Sequence, residues 1–210
     1  MNNWKPFPTA LFTCYVLLPK YNCYCDSIYI YIYHIIEIIP KLNKACQIVR
    51  TLTFLRSPEI LRMVYFSYFQ SVMSYGIIFW GNSHHSFKVF KIIFWGNFHH
   101  SFKVFKIQKR IIWIITNSNR YDTCRPLFKQ LGILPLPSQY IFSILLFVVK
   151  NKNLFQINSQ IHNLHTRSND NLHLLSTSLT VVQRGVAYSG SKIYNHLPTH
   201  IKQLSANVVV

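Results

Sequence analysis

Four cations and a tryptophan recur at helical spacing between positions 103 and 113. They are Lys103, Lys106, Lys109, Arg110 and Trp113. Steps of three and four residues put Lys103, Lys106 and Arg110 on one face of an α-helix, with Lys109 beside them. Such a row can follow a phosphate backbone, because each contact releases a condensed counterion, and Trp113 next to the row could stack on a base. The pattern predicts sequence-independent binding to the backbone of DNA or RNA; an exposed, solubilising helix face has the same pattern.

The acidic residues are few and scattered. They are Asp26, Glu37, Glu59, Asp122 and Asp170, and no two of them are close in sequence. Two-metal phosphoryl transfer and paired general acid–base catalysis both need carboxylates that converge within a few ångströms. The sequence therefore predicts no metal-dependent catalysis and offers no catalytic residue.

Histidine and cysteine, which can bind metals, also lack suitable spacing. The pair His84–His85 recurs as His99–His100, and His196 and His200 have Pro198 between them. The cysteines are odd in number and form no C-x₂-C pair; they are Cys14, Cys23, Cys25, Cys46 and Cys124. We expect reduced thiols in an intracellular protein, nuclear or cytoplasmic, with no metal site and no cofactor.

The charge balance points to a polyanionic partner. The 210 residues include 22 Lys and Arg against 5 Asp and Glu, a formal net charge of +17, and half of them are apolar. Most cations therefore have no internal acid to pair with, although the chain can still form a core. Nucleic acid is the expected partner, and an anionic membrane surface is the alternative. The composition indicates no small-molecule substrate.

The N-terminal segment, residues 1–40, has a composition unlike the rest. Ser27–Pro40 alternates Ile and Tyr, which makes it apolar on both faces of a strand. We expect a low-complexity segment that is poorly ordered or β-prone.

Helical patterns follow over residues 41–150. Residues 42–55 and 58–75 are predicted helices, the second beginning with Ser57 as N-cap, Pro58 and Glu59, and ending at Gly76. The core face of the second should carry Leu61, Tyr65, Tyr68, Val72 and Tyr75.

Three more helices are predicted downstream. In helix 101–116, Phe102, Phe105, Ile112 and Ile115 should lie opposite the cations. A short helix, 124–131, should end at Gly132, and Ser138 should cap a largely apolar helix over 139–150. The fold class is therefore mainly α, a small helical bundle.

The C-terminal region, residues 151–210, is rich in loops. Residues 172–182 and 185–188 could be short strands, with turns at Arg184-Gly185 and Ser189-Gly190. No apolar run reaches the length of a membrane-spanning helix.

A tandem duplication interrupts the helical region. Residues 77–91 (IIFWGNSHHSFKVFK) are followed at once by 92–106 (IIFWGNFHHSFKVFK), which differ only where Ser83 becomes Phe98. A repeat architecture needs at least three units, so this pair indicates a recent duplication instead.

Several motifs, in order, resemble the C-terminal part of insect jockey-like non-LTR retrotransposon reverse transcriptases. They are YFQSVMSYGIIFWGN (68–82), FKVFKIQKRIIWII (102–115), CRPLFK (124–129) with ILPL (133–136), HTR (165–167) and GSKIYNHLP (190–198). The likeness extends over roughly residues 41–204.

The resemblance implies an RNA-directed DNA polymerase that has lost its catalytic part. The palm of that family carries an aromatic-x-Asp-Asp motif that binds two magnesium ions, and this sequence contains no Asp-Asp pair. Helices 42–75 and 101–116 would correspond to the thumb, which grips the template–primer duplex, and Trp113 stands where related sequences tend to carry Arg. The implied protein is a truncated, degenerate remnant that is not an enzyme by itself and keeps at most non-specific nucleic-acid binding.

Two other interpretations remain open at this stage. A basic protein with many aromatic residues could bind the surface of an anionic membrane. Alternatively the reading frame yields no stable product, because helix 139–150 and the face of helix 58–75 would lose the partners that the palm supplies.

Overall fold

The computed structural model describes residues 24–55, 57–81, 98–161, 168–178, 182–183 and 185–207. Residues 1–23 of the predicted N-terminal segment, positions 82–97 of the duplication and the HTR motif lie outside them. Helices dominate the described chain, which confirms the predicted mainly α fold.

Ten α-helices are named within the described ranges, joined in places by other helical turns. They are α1 (Tyr24–Leu52), α2 (Pro58–Val64), α3 (Ser71–Ser74), α4 (Ile77–Trp80), α5 (Phe98–Thr116), α6 (Cys124–Leu131), α7 (Leu136–Lys150), α8 (Asn158–Ile161), α9 (Val186–Asn195) and α10 (Thr199–Asn207). Thr53–Leu55 and Lys152–Leu154 are 3₁₀ turns, and Tyr65–Gln70 is a π-helical turn between α2 and α3.

The chain forms two compact units. One is Cys25–Tyr140, and the other contains Ile141–Val210, so that α7 begins in the first unit and continues into the second. The predicted cations and Trp113 all belong to the first unit.

The Ile–Tyr segment is helical, and the prediction of a poorly ordered or β-prone segment is wrong for residues 27–40. This stretch lies inside α1, which passes through Pro40 without a break. Ile35, Ile38, Leu42, Cys46 and Val49 follow one another at steps of three and four residues, and each is at most 5% exposed. Burial of this helical stripe outweighs the β-propensity of Ile and Tyr, which is a weaker, context-dependent preference.

The predicted helix 58–75 is present, with a change of register in its middle. Leu61, Tyr65 and Val72 are buried as predicted, but Phe69 and not Tyr68 occupies the core between them. The cause is the π-helical turn over Tyr65–Gln70, which has more residues per turn than an α-helix and so shifts the following side chains.

Both ends of this helix lie close to the predicted positions. Ser57 is the N-cap residue with extended backbone, although its side chain makes no capping hydrogen bond. Gly76 follows the helix in the left-handed region, with φ of 64°, which glycine adopts without strain.

Helix α6 has the predicted bounds, whereas α7 starts earlier than predicted. Gly132, with φ of 63°, ends α6 as a left-handed cap. Helix α7 begins at Leu136, which leaves Ser138 in its first turn and not at the N-cap. The prediction of Ser138 as the N-cap is wrong because a residue of another helix caps α7: the Gln108 side-chain oxygen accepts the Leu136 N–H at 2.8 Å.

The second unit has a small apolar core. Val148, Leu172 and Tyr194 are buried together, and partly buried residues surround them, among them Phe155 and Leu197. The Asn195 amide holds Leu172 at both backbone groups, since its Nδ2 donates to the Leu172 carbonyl (2.8 Å) and its Oδ1 accepts the Leu172 N–H (2.9 Å).

The predicted C-terminal strands are not formed in the described residues. Positions 173–178 contain no regular element, positions 179–181 lie outside the description, and residues 186–188 begin helix α9. Leu172 forms only an isolated antiparallel bridge with Ile157. The predicted turn Ser189-Gly190 also lies inside α9, where a Cβ on Gly190 would stand 2.7 Å from Val148 Cγ2. Gly190 therefore serves close helix packing and not a turn.

Candidate nucleic-acid interface

The cations of α5 lie on the side of the helix that faces away from the core. Its buried residues, among those whose burial is described, are Ser101, Val104, Ile107, Gln108, Ile111, Ile112 and Ile115, none more than 6% exposed. At 100° per residue these occupy an arc of roughly 140°, and Lys103, Lys106, Lys109 and Arg110 occupy an opposing arc of roughly 120°. Lys106 and Arg110 are exposed, and Lys103 and Lys109 are partly buried. We call these four residues the cationic face.

Two phenylalanines predicted on the opposite side each contact a lysine of the cationic face. Lys106 Nζ lies 4.5 Å from the centre of the Phe102 ring, and Lys109 Nζ lies 4.7 Å from that of Phe105. Each pair is separated by four residues, which brings the side chains together on one helical face. The prediction for Phe102 is therefore wrong, because it lies within the arc of the cations. Phe105 lies at the edge of the buried arc, and the prediction for Ile112 and Ile115 is confirmed.

Arg110 connects the cationic face to helix α1. Its Nη1 donates to Asn43 Oδ1 at 3.4 Å, a long contact on the protein surface. A guanidinium group has five N–H donors in a planar fork, so this contact leaves donors for a phosphate.

Trp113 is half-buried and takes part in the turn between α5 and α6. Its indole N–H donates to the backbone carbonyl of Asp122 at 3.2 Å. This bond fixes the ring at the end of the cationic face, which limits the rotation of the indole.

A cavity of about 820 Å³ opens beside Lys109 and Trp113. Helix α5 lines it with Phe105, Lys109 and Trp113, and helix α6 lines it with Cys124, Arg125, Phe128 and Lys129. The connector 132–135 forms a third wall. We refer to this space as the α5–α6 cavity. The structure thus brings together only two of the five predicted residues here; Lys103, Lys106 and Arg110 lie outside it.

Arg125 and Lys129 were not predicted as site residues, although the sequence holds a signal for them. They are four residues apart on α6, and both are exposed at the cavity. The acidic counterpart is Asp122, whose Oδ2 accepts the Asn119 N–H at 2.8 Å. Three cations against one carboxylate give the cavity a net positive charge.

The thiol of Cys124 also lines the cavity. Burial raises its pKa, and the positive charge of Lys109 opposes this only in part. The group is therefore protonated at neutral pH, which makes it a poor nucleophile.

Gln108 supports the connector wall from the core side. It is fully buried, and its Nε2 donates to the Tyr65 hydroxyl (3.0 Å) and to the Leu134 carbonyl (2.9 Å). Its Oε1 accepts the Leu136 N–H. Burial raises the pKa of the Tyr65 phenol well above its usual range, so this hydroxyl stays neutral.

Among the described residues, His, Cys, Asp and Glu form no group of three that could hold a metal ion. Within the same residues no single helix has the length and hydropathy to cross a membrane, although α6 and α7, two consecutive helices joined by a bend, meet both criteria together.

Comparison of the chain with protein-family models, curated proteins and solved structures finds no match. The resemblance to reverse transcriptases therefore stays a prediction from the sequence motifs.

Proposed function

We propose that this chain binds nucleic acid without reading its sequence, through contacts of the cationic face with backbone phosphates. The observation that carries the proposal is the position of Lys103, Lys106, Lys109 and Arg110 on one arc, opposite the buried arc of α5. Because the packed side of the helix fixes its rotation, the cations stay on one side, where they can contact several backbone phosphates together. The net charge of +17 adds long-range attraction.

On this proposal the chain is the remnant of a reverse transcriptase, with the thumb-like part retained and the catalytic palm lost. The motif order within residues 41–204 supports the origin. The described acids fit this part of the proposal, because Glu37, Glu59, Asp122 and Asp170 are all exposed and none belongs to a described group of three possible metal ligands.

The salt dependence of binding tests the phosphate contacts. Each neutralised phosphate adds about 0.7 (single strand) to 0.9 (duplex) to the slope of log affinity against log salt concentration. Replacing Lys103, Lys106 and Arg110 together by Gln should therefore lower the slope by about 2 to 3 and weaken binding at low salt. Fluorescence anisotropy with a labelled oligonucleotide measures both quantities.

A charge-matched control distinguishes the effect of the cationic face on binding from the effect of the total charge of the chain. Lys44, Lys150 and Lys192 are exposed cations on other helices, and their triple replacement by Gln removes the same charge. The slope should change little in this control. Equal effects of the two triple variants would rule out a specific role of the cationic face.

Primer extension tests the second part of the proposal. The purified chain with template, primer, nucleotides and magnesium should give no product above background. Template-dependent synthesis would overturn the assignment as a non-enzymatic remnant.

A vesicle assay distinguishes the membrane alternative. Under the proposal, an oligonucleotide releases the chain from vesicles of anionic phospholipid, because both compete for the same cations. Stable co-sedimentation with the vesicles in the presence of excess oligonucleotide would favour a membrane surface as the partner.

A further inference from the structure

We propose that the α5–α6 cavity binds an unpaired nucleobase together with its phosphate, which gives the chain a preference for single-stranded over duplex nucleic acid. This inference deepens the proposed function and rests on it, because Lys109 belongs to both the cationic face and the cavity.

The size and walls of the cavity suit a nucleotide. Its volume of about 820 Å³ is within the usual range of small-ligand sites. Three aromatic side chains, Phe105, Trp113 and Phe128, line it together with the apolar residues of the connector. Stacking on aromatic rings is how proteins hold unpaired bases without reading their sequence, since every base has a π face.

The charge of the cavity selects an anion. Lys109, Arg125 and Lys129 contribute three positive charges, and the one opposing carboxylate, Asp122, already accepts a backbone N–H. Aromatic rings next to such cations fit a base linked to a phosphate better than they fit an inorganic anion, because a base can stack on a ring and an inorganic anion cannot. In a duplex the bases stay stacked on one another, so a base and its phosphate cannot enter the cavity together, and duplex binding relies on the cationic face.

The cavity walls are held in place by the protein itself. The indole N–H of Trp113 is bonded to Asp122, and the connector is bonded to Gln108 through Leu134 and Leu136. Such pre-organisation lowers the entropic cost of binding, because few side chains need to be ordered by the ligand.

Three oligonucleotides of equal length distinguish the contribution of the bases to affinity from that of the phosphates. They are oligo(dT), the same backbone with abasic sites, and a duplex. A stacked base contributes a factor of roughly 5 to 150 to affinity, so oligo(dT) should bind more tightly than the abasic strand by about this factor. Equal affinity of the chain for oligo(dT) and the abasic strand would overturn the proposal.

Variants of cavity residues test whether the preference for single strands arises in the α5–α6 cavity. Arg125 and Lys129 are both exposed, and unlike the Trp113 indole neither side chain forms a hydrogen bond within the described residues. Replacing both by Gln should reduce the advantage of oligo(dT) over the duplex several-fold. The exposed pair Lys44 and Lys150, changed in the same way, is the control and should leave that ratio unchanged. A ratio that is unaffected by the Arg125 and Lys129 changes would contradict a role of the cavity.

Trp113→Phe adds a spectroscopic test. If a base stacks on Trp113, oligo(dT) quenches tryptophan fluorescence in the unaltered chain, and this quenching falls in Trp113→Phe while the remaining ring still supports binding. Undiminished quenching in the variant would contradict stacking at this residue.

The two proposals fail in different ways. If the abasic strand binds as well as oligo(dT) while the slope still depends on the cationic face, only the cavity proposal is wrong. If changes on the cationic face leave the slope unaltered but the abasic strand binds weakly, the proposed contacts of that face are wrong and the cavity proposal survives.

Discussion

Gln108 should be one of the most sensitive positions of the first unit. Its side chain is fully buried and makes three hydrogen bonds, to the Tyr65 hydroxyl, the Leu134 carbonyl and the Leu136 N–H. Gln108→Leu keeps the approximate volume but removes all three hydrogen bonds of the side chain. The buried Leu136 N–H, the buried Tyr65 hydroxyl and the partly buried Leu134 carbonyl must then stay unsatisfied or admit water. An unsatisfied buried group costs about 1–3 kcal/mol, and the gain from burying a leucine offsets part of this.

We therefore expect Gln108→Leu to lower the free energy of unfolding by about 2–5 kcal/mol. Urea unfolding followed by circular dichroism measures the change. Tyr65→Phe, which removes only one of the three bonds, is the matched comparison and should cost about 0.5–1.5 kcal/mol.

The double variant tests whether the two side chains act as one network. Because Gln108→Leu already removes the bond to Tyr65, adding Tyr65→Phe should cost less than it does in the unaltered chain. If Gln108→Leu is neutral or stabilising, the network contributes no stability and the reasoning is refuted.

Three further predictions concern other parts of the chain. Gly190→Ala should destabilise the second unit by about 1–3 kcal/mol in urea unfolding, in spite of the better helix propensity of Ala, because the added Cβ would lie 2.7 Å from Val148 Cγ2; a stabilised variant would contradict this packing. Burial lowers the pKa of His34, so its contribution to stability is complete above the unfolded-state pKa of about 6.5 and is lost as the pH falls from there through the lower folded-state pKa. His34→Gln should therefore show a smaller loss of stability between pH 7.5 and 5.5, and an unchanged loss would exclude this residue as the cause. Deleting residues 82–96 leaves one copy of the duplicated block and should preserve the helical circular dichroism spectrum and cooperative unfolding; loss of both would show that the duplicated residues are needed for folding.

Much of the helical pattern could be predicted because local signals and packing agree in it. Helix α6 shows this most clearly: the amphipathic pattern of Cys124–Leu131 and the glycine that follows define both of its ends. The cations of α5 lie on one side of the helix for the same reason, since a row at steps of three and four residues can lie on only one side of a helix.

The errors arose where distant residues decide the local structure. Alternating Ile and Tyr is typical of a strand, and only the continuation of the stripe from Ile35 through Val49 shows why the chain is helical there. Similarly, the start of α7 depends on Gln108, which lies 28 residues earlier in the sequence. No local signal marks such a cap.

The α5–α6 cavity could not be predicted, although its residues are not unusual in the sequence. Arg125 and Lys129 have the spacing of an exposed helix face, and only the packing of α6 beside α5 shows that they lie near Lys109. A cavity is formed by elements that come from separate parts of the chain, so residue spacing within one helix carries no information about it.

Residue 113 decides between two ways of holding nucleic acid under the proposed function. Its position on α5 is within the arc of the cationic face, where an arginine, the residue to which the resemblance points, would add a fifth cation and strengthen contacts with any phosphate backbone. The tryptophan instead gives the α5–α6 cavity an aromatic wall, at the expense of that charge. Trp113→Arg should therefore steepen the salt dependence of duplex binding and reduce the advantage of oligo(dT) over an abasic strand. Both effects follow from one side chain, because the buried side of α5 fixes the direction in which position 113 points. If Trp113→Arg instead raises the affinity for oligo(dT), the abasic strand and the duplex by the same factor, the aromatic ring has no role in selecting single strands.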